Sequence, residues 1–320
     1  MLLDIGIMID SGKFVHKNET STFCCFLRRA PREARLSFPI EQLARHPKFV
    51  ASLRFLSETL RNRYDNGPRI ARMLASHQRW LLSQSAYALH LEHDPEHPRS
   101  GLTVVALRDL ITHYRIASRN TVLSFIEELL TYRFLELAPG PARRPRRYVP
   151  TETAYSGMFG WYLANLAALD LIDDGSRAAA LVASPMLLDL AQPRMARTCL
   201  AADLWREPPE SVGLFLWTES GGLVVDYIMS RLELDGKVGD RIDIGHVDAR
   251  ALATHFMISR THLQRILRKS ADRGDVGWHE SKKTQMWISR NFLDQYCGWQ
   301  AIKLAAVDEA FAWAQSASRG

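Results

Sequence analysis

Apolar positions along this chain fall mostly at helical spacing, and one arrangement of them occurs twice. LITHYRIASRNTVLSFIEELLTYRFLEL, residues 110–137, is matched by LATHFMISRTHLQRILRKSADRGDVGW, residues 252–278, once one extra residue, Ala117, is allowed in the first copy. Leu110, Thr112, His113, Tyr114 and Ile116 then face Leu252, Thr254, His255, Phe256 and Ile258, while Ser118 and Arg119 face Ser259 and Arg260. Further on, Val122, Phe125 and Ile126 match Leu263, Ile266 and Leu267, and Leu135 and Leu137 match Val276 and Trp278. In each copy the apolar residues repeat at helical spacing through two short stretches, and a serine stands where the second needs its N-cap. Helix, tight turn, helix is the predicted unit.

After the second helix the period shortens. FLEL followed by YV in the first copy, and DVGW followed by MWI in the second, predict the two strands of a hairpin. The tips are polar: Pro139–Arg147, rich in proline, and His279–Gln285. Thr151 and Ser289 are placed to cap a further helix. Helical pattern also precedes each copy, at about Arg69–His90 and Gly222–Leu232. An N-terminal helix is expected over about Pro39–Arg63 and a helical connector over Thr151–Arg206; the first 36 residues show no usable period. The predicted fold is mainly α with small β-hairpin wings, in tandem winged helix-turn-helix modules. The expected divisions are an N-terminal extension with a helix (1–67), a first module (68–170), a connector (171–219) and a second module carrying a C-terminal helix (220–320).

Composition narrows the class. A chain of 320 residues with 47% hydrophobic content has enough apolar surface for real cores, which excludes a disordered chain. Cys24 and Cys25 are adjacent, and Cys199 and Cys297 stand apart; with no CxxC, neither a disulfide scaffold nor a zinc ribbon is expected, and a reducing cytosol suits them. MLLDIGIMID lacks the basic start of a secretory signal, and WYLANLAALDLI is interrupted by Asn165 and Asp170, so a cytoplasmic protein without a membrane span is expected.

The net charge of +6 is mild, but its location is informative. Residues 119–150 carry six Arg and three Glu, and residues 257–283 carry seven Lys or Arg and three acids, so the basic excess falls on the repeated units. The start of a second helix in such a unit fits the DNA major groove. The candidates there are Arg119, Asn120, Thr121 and Ser124 in the first copy and Arg260, Thr261, His262, Gln264, Arg265 and Arg268 in the second, with Lys269 toward the flanking backbone. Arg suits guanine or phosphate, Asn and Gln suit adenine, and Ser and Thr are permissive. Arg143, Arg144, Arg146 and Arg147 on the first hairpin, and Lys282 and Lys283 on the second, suit the minor groove or its phosphates. Glu127 and Glu128 would repel phosphate where the second copy has Arg268 and Lys269. The second helix is therefore expected to hold the DNA backbone more strongly, and the first unit to rely on its Arg-rich hairpin.

SRNTVLSFIEELLTYRFLEL, with the Arg-rich turn and RRYVPTE after it, resembles winged helix-turn-helix transcriptional regulators of the MarR type, and SRTHLQRILRKSADRGDVGW is similar to the same class. The resemblance spans about residues 68–170 and 220–315. It implies a regulator that binds double-stranded DNA, with a homodimer through terminal helices and a small-molecule effector as possible partners. Regulators of this type usually carry one module and dimerise through terminal helices; two modules here suggest a pseudo-dimer within one chain, or a dimer through the helix Gly298–Ala314. Trp299, Ile302, Ala306, Phe311 and Trp313 of that helix equally suit core packing. Two alternatives stand beside the regulator: a plasmid-type replication initiator with tandem winged helices, and a winged-helix protein-interaction scaffold.

Other chemistry finds less support. His90, His93 and His97 have the right atoms for a metal but lie in a proline-containing stretch that reads as a solvated loop. His113 and His255 are expected to pack within their motifs. Cys24 and Cys25, with Arg28 and Arg29 nearby, read as an inert pair lacking an identified resolving partner. The chain has no GxSxG, GxxxxGK[ST], HExxH or GxGxxG after a strand, so neither an enzyme nor a cofactor is expected.

Overall fold

The computed structural model describes residues 37–67, 75–97, 100–140, 145–233, 239–280 and 284–319. The architecture is mainly helical, with one two-stranded and one three-stranded antiparallel sheet. The N-terminal helix expected over Pro39–Arg63 is two helices, α1 (Ile40–Ala44) and α2 (Phe49–Asn66). Pro47 lies between them, where its ring disfavours helical backbone in the residue before it. Phe49, Leu53, Leu56 and Tyr64 form a buried stripe on α2. Ser52 on the same helix is buried too, and its hydroxyl donates to the Ala168 carbonyl at 2.5 Å.

The first copy of the repeat consists of α3 (His77–Leu91), α4 (Val104–His113), α5 (Arg119–Thr131), β1 (Leu135–Leu137) and β2 (Tyr148–Pro150). The part of the predicted upstream helix at 69–74 lies outside the described residues. Between the copies run α6 (Glu152–Asp173), α7 (Arg177–Ala183), α8 (Leu187–Ala201), α9 (Asp203–Arg206), α10 (Glu210–Leu216) and α11 (Gly221–Ser230). The second copy consists of β3 (Arg241–His246), α12 (Ala249–His255), α13 (Arg260–Asp272), β4 (Val276–Trp278) and β5 (Gln285–Ser289), followed by α14 (Arg290–Ala317).

The two copies agree bond by bond. Ser118 and Ser259 cap α5 and α13, each accepting the N–H of the third residue onward, and Thr151 and Ser289 cap α6 and α14 in the same way. The helix-to-helix turns close through Ile116 N–H to the Ile111 carbonyl and Ile258 N–H to the Ala253 carbonyl. Each turn has one left-handed residue, Arg115 or Met257. The exits from α5 and α13 pass through left-handed Arg133 and Gly274. Phe134 then donates to Leu129 and Asp275 to Ser270.

The strands differ. β1 and β2 pair alone, joined by an isolated bridge from Arg147 to Thr103, whereas the second sheet has the order β3-β5-β4. β3 was not expected from the sequence. Its counterpart is short because Thr103 is itself the cap of α4, accepting from Ala106, so little extended chain is left there. In the second copy the cap is Asp248, which leaves 241–246 free to pair with β5 around a bulge at Gly245.

The segment between the copies belongs to the same core as both. Leu181, Leu188, Met195, Leu200 and Trp205 are buried in it, and Gln192 donates to Gln84 across α8 and α3. α14 is longer than the predicted Gly298–Ala314 because its cap, Ser289, directly ends β5. Of its named side chains, Trp299, Ala306 and Phe311 are buried within the chain, Ile302 is half-buried, and Trp313 is 40% exposed under the Arg194 guanidinium. Near one end of α3, His77 is enclosed by Trp80, Trp205, Trp217 and Trp299. Both its Nε2 and the Trp299 indole N–H donate to the Trp205 carbonyl, at 2.9 and 3.1 Å. Burial holds this imidazole neutral, its pKa down at about 4. The box joins α3 of the first copy to α14 behind the second.

Candidate nucleic-acid interface

α13 buries Leu263, Ile266, Leu267 and Ser270, which turns Arg260, Thr261, Gln264, Arg265, Arg268 and Lys269 to solvent. His262 is half-buried, with its Nδ1 2.9 Å from Arg265 Nη2. Among the described residues no carboxylate pairs with Arg260, Arg265, Arg268 or Lys269. Several arginines elsewhere are held by carboxylates. Arg177 is gripped by Asp170, Asp173 and Asp308, Arg194 by Glu309, and Arg197 by Glu92. Even Arg273, just beyond α13, is tied to Glu210 and Asp275. Four cations without a carboxylate partner among the described residues thus share the exposed face of one helix.

The two sides of the adjoining hairpin's loop end are tied together. Glu280 accepts the Thr284 hydroxyl and the N–H groups of Thr284 and Gln285, at 2.6, 2.5 and 2.8 Å. Those donors hold its carboxyl down at about 2, so it stays ionised at neutral pH. On the outer face of the sheet the Trp287 indole lies over Gly277, where a Cβ would come within 2.1 Å of the ring. Arg241 stacks on the indole at 4.4 Å, and His279 Nε2 meets Asp243 at 2.6 Å. This layer was not found from sequence. The period-two placement of Ile242 and Ile244 is the signal that marks β3.

The first copy presents a different face. Arg119, Asn120, Leu123, Ser124 and Glu127 of α5 are exposed, and Thr121 is half-buried. Glu128 is committed to Arg79 of α3 at 2.8 Å. On the hairpin Arg146 is exposed, but Arg147 is half-buried, its Cδ lying 3.1 Å from where a Cβ on Gly101 would be. Arg143, Arg144, Lys282 and Lys283 lie outside the described residues, as do Cys24, Cys25, Arg28 and Arg29.

The repeated histidines are not packed inside their motifs: His113 is exposed, and His255 is 49% exposed and 2.9 Å from Asp65. Each is the last residue of its helix, and the following aromatic, not the imidazole, turns inward in the second copy, where Phe256 is fully buried. His93 meets the Ser100 hydroxyl and His97 meets Asp94, at 3.0 and 2.5 Å. Among the described residues no three His, Cys, Asp or Glu side chains gather as for a metal, and no helix is long and apolar enough to cross a membrane. Cys199 and Cys297 are buried thiols, each pushed up to about 12 by desolvation. No family model, curated protein or solved structure matches this chain.

Proposed function

We propose that the chain is a sequence-specific double-stranded DNA-binding transcriptional regulator with two winged helix-turn-helix units, similar to the MarR type. The observation that carries this reading is the set of exposed, unpaired cations on α13, between a left-handed turn and a braced hairpin. A buried apolar side fixes the helix, so its other side can enter a groove as a rigid body. Arg260 and Thr261 at its start, with Gln264 and Arg265 a turn later, would read base edges. Arg268 and Lys269 would hold phosphates. The second hairpin would rest on the neighbouring backbone.

The test is fluorescence anisotropy with a random-sequence duplex, comparing the wild type with the Arg260→Ala, Arg265→Ala, Arg268→Ala triple variant. The triple variant is expected to bind this duplex more weakly through lost phosphate contacts, and to lose about 1–3 kcal/mol per base contact on a selected site. Equal binding by both proteins would reject the assignment of α13 and favour a protein-interaction scaffold. Rounds of selection on the same duplex pool would then return an inverted repeat for a regulator and direct repeats for a replication initiator.

A further inference from the structure

A groove of about 260 Å³ runs between α5, the start of α3 and the turn that follows α10. Thr121, Ser124 and Phe125 of α5 form one wall, and Trp217 and Glu219 belong to the opposite rim. Its walls are tied together by an ion pair and hydrogen bonds. Arg79 is paired with Glu128, the Ser76 hydroxyl accepts the Arg79 N–H at 3.2 Å, and the Gln78 amide donates to the Ile116 carbonyl at 3.0 Å.

Trp217 is the unusual member of this set. Its ring is held edge-on by His77 at 5.3 Å and lies against Gly213, where an added Cβ would approach within 3.3 Å, yet 49% of the residue remains exposed. A large aromatic surface is thus immobilised and left open. Glu219 beside it is exposed and, among the described residues, pairs with no cation. With Arg79 and Glu128 cancelling, the groove carries, among the described residues, one uncompensated negative charge next to an aromatic face.

We infer that this groove binds a small planar cation, an amine or amidinium carried on one or two rings. The cation sits between Trp217 and Glu219, where ring quadrupole and carboxylate attract it together. The hydroxyls of Thr121 and Ser124 and the amide of Gln78 supply the orienting polar groups. The volume lies just under the roughly 300–1,000 Å³ of sites for drug-sized ligands, which limits the occupant to that size and excludes a nucleotide. The inference does not depend on the DNA reading, although an occupant would touch two side chains, Thr121 and Ser124, that the sequence assigns to base contacts.

The experiment is isothermal titration calorimetry of the full chain with benzamidine and tryptamine, with benzoate as the anionic counterpart. Benzamidine or tryptamine is expected to bind one per chain, and benzoate not to bind. Glu219→Gln should weaken the cation about tenfold by removing the charge beside the ring. Ser124→Trp should abolish the heat by filling the groove. Both positions are exposed, and thermal melts of the two variants matching the wild type would show that the fold is kept. Absence of saturable binding by either cation, equal binding of benzoate, or unchanged affinity in the two folded variants would overturn the assignment.

Discussion

The two copies of the repeat share a backbone and divide on their surfaces. Caps, left-handed turns and closing hydrogen bonds coincide, because these are set by a few residues whose local chemistry permits little else. The exposed faces answer to no such constraint. Where α13 carries Gln264 and Arg268, α5 carries Leu123 and Glu127 at the matching places, and Glu128, opposite Lys269, is spent on Arg79. Where the second sheet lays Trp287 over Gly277, the first pairs Val149 with Glu136. The common backbone reveals the shared fold, while the divergence gives the two units different surfaces: α13 an exposed basic face, which on the DNA reading meets a polyanion, and α5 the wall of a groove.

The largest effect is expected where both copies depend on one element, the box around His77. Its folded pKa of about 4 lies below the ordinary 6.5, so the unfolded chain takes up the proton more readily between those values. Stability is therefore complete above about pH 6.5 and falls as pH drops toward 4, by on the order of 3 kcal/mol. Thermal melts across that window measure it, and His77→Phe should flatten the contribution while both units still melt together. Separate melting of the two units would contradict a shared frame.

A second comparison is steric. Gly277→Val would force the Trp287 ring off its seat and is expected to cost about 1–3 kcal/mol, whereas Glu136→Val at the matching exposed strand position should stay within about 0.5 kcal/mol. Urea unfolding of the two variants reads the difference. At the helix exits the direction reverses. Arg133 holds a φ of 58° that glycine adopts freely, so Arg133→Gly should stabilise by about 0.5–1 kcal/mol, and Gly274→Arg should destabilise by about 1–2 kcal/mol. The smallest effect concerns charge: Glu127→Arg gives α5 the cation that α13 has at Arg268. On the DNA reading this should steepen the salt dependence of binding by about one unit if α5 lies against phosphate, and leave it unchanged if α13 alone does.

Much of this was legible in the sequence, for physical reasons that also explain what was not. Ser118, Ser259, Thr151 and Ser289 act on neighbours three residues away, and the apolar residues of α5 and α13 follow a 3.6 period, so local pattern suffices for both. The hairpins followed from the change to a period of two. Ile242 and Ile244 alternate with Arg241 and Asp243 in β3, but six residues broken by a bulge leave only a weak period-two signal. The groove had no local signature at all. Arg79, Glu128 and Trp217 meet only through tertiary packing, and a wing arginine such as Arg147 is indistinguishable from Arg146 until the bridge to Thr103 is seen.

The most direct measurement is the slope of log K against log salt for binding to duplex DNA, taken for the wild type and for the Arg260, Arg265, Arg268 triple alanine variant. Each phosphate contact contributes about 0.9 to that slope, so loss of the phosphate contact assigned to Arg268 should make it shallower by roughly 1 unit, alongside the fall in affinity. A triple variant with the wild-type slope and affinity, or a wild type that fails to bind duplex DNA at low salt, would contradict the assignment of α13 as the DNA-binding helix.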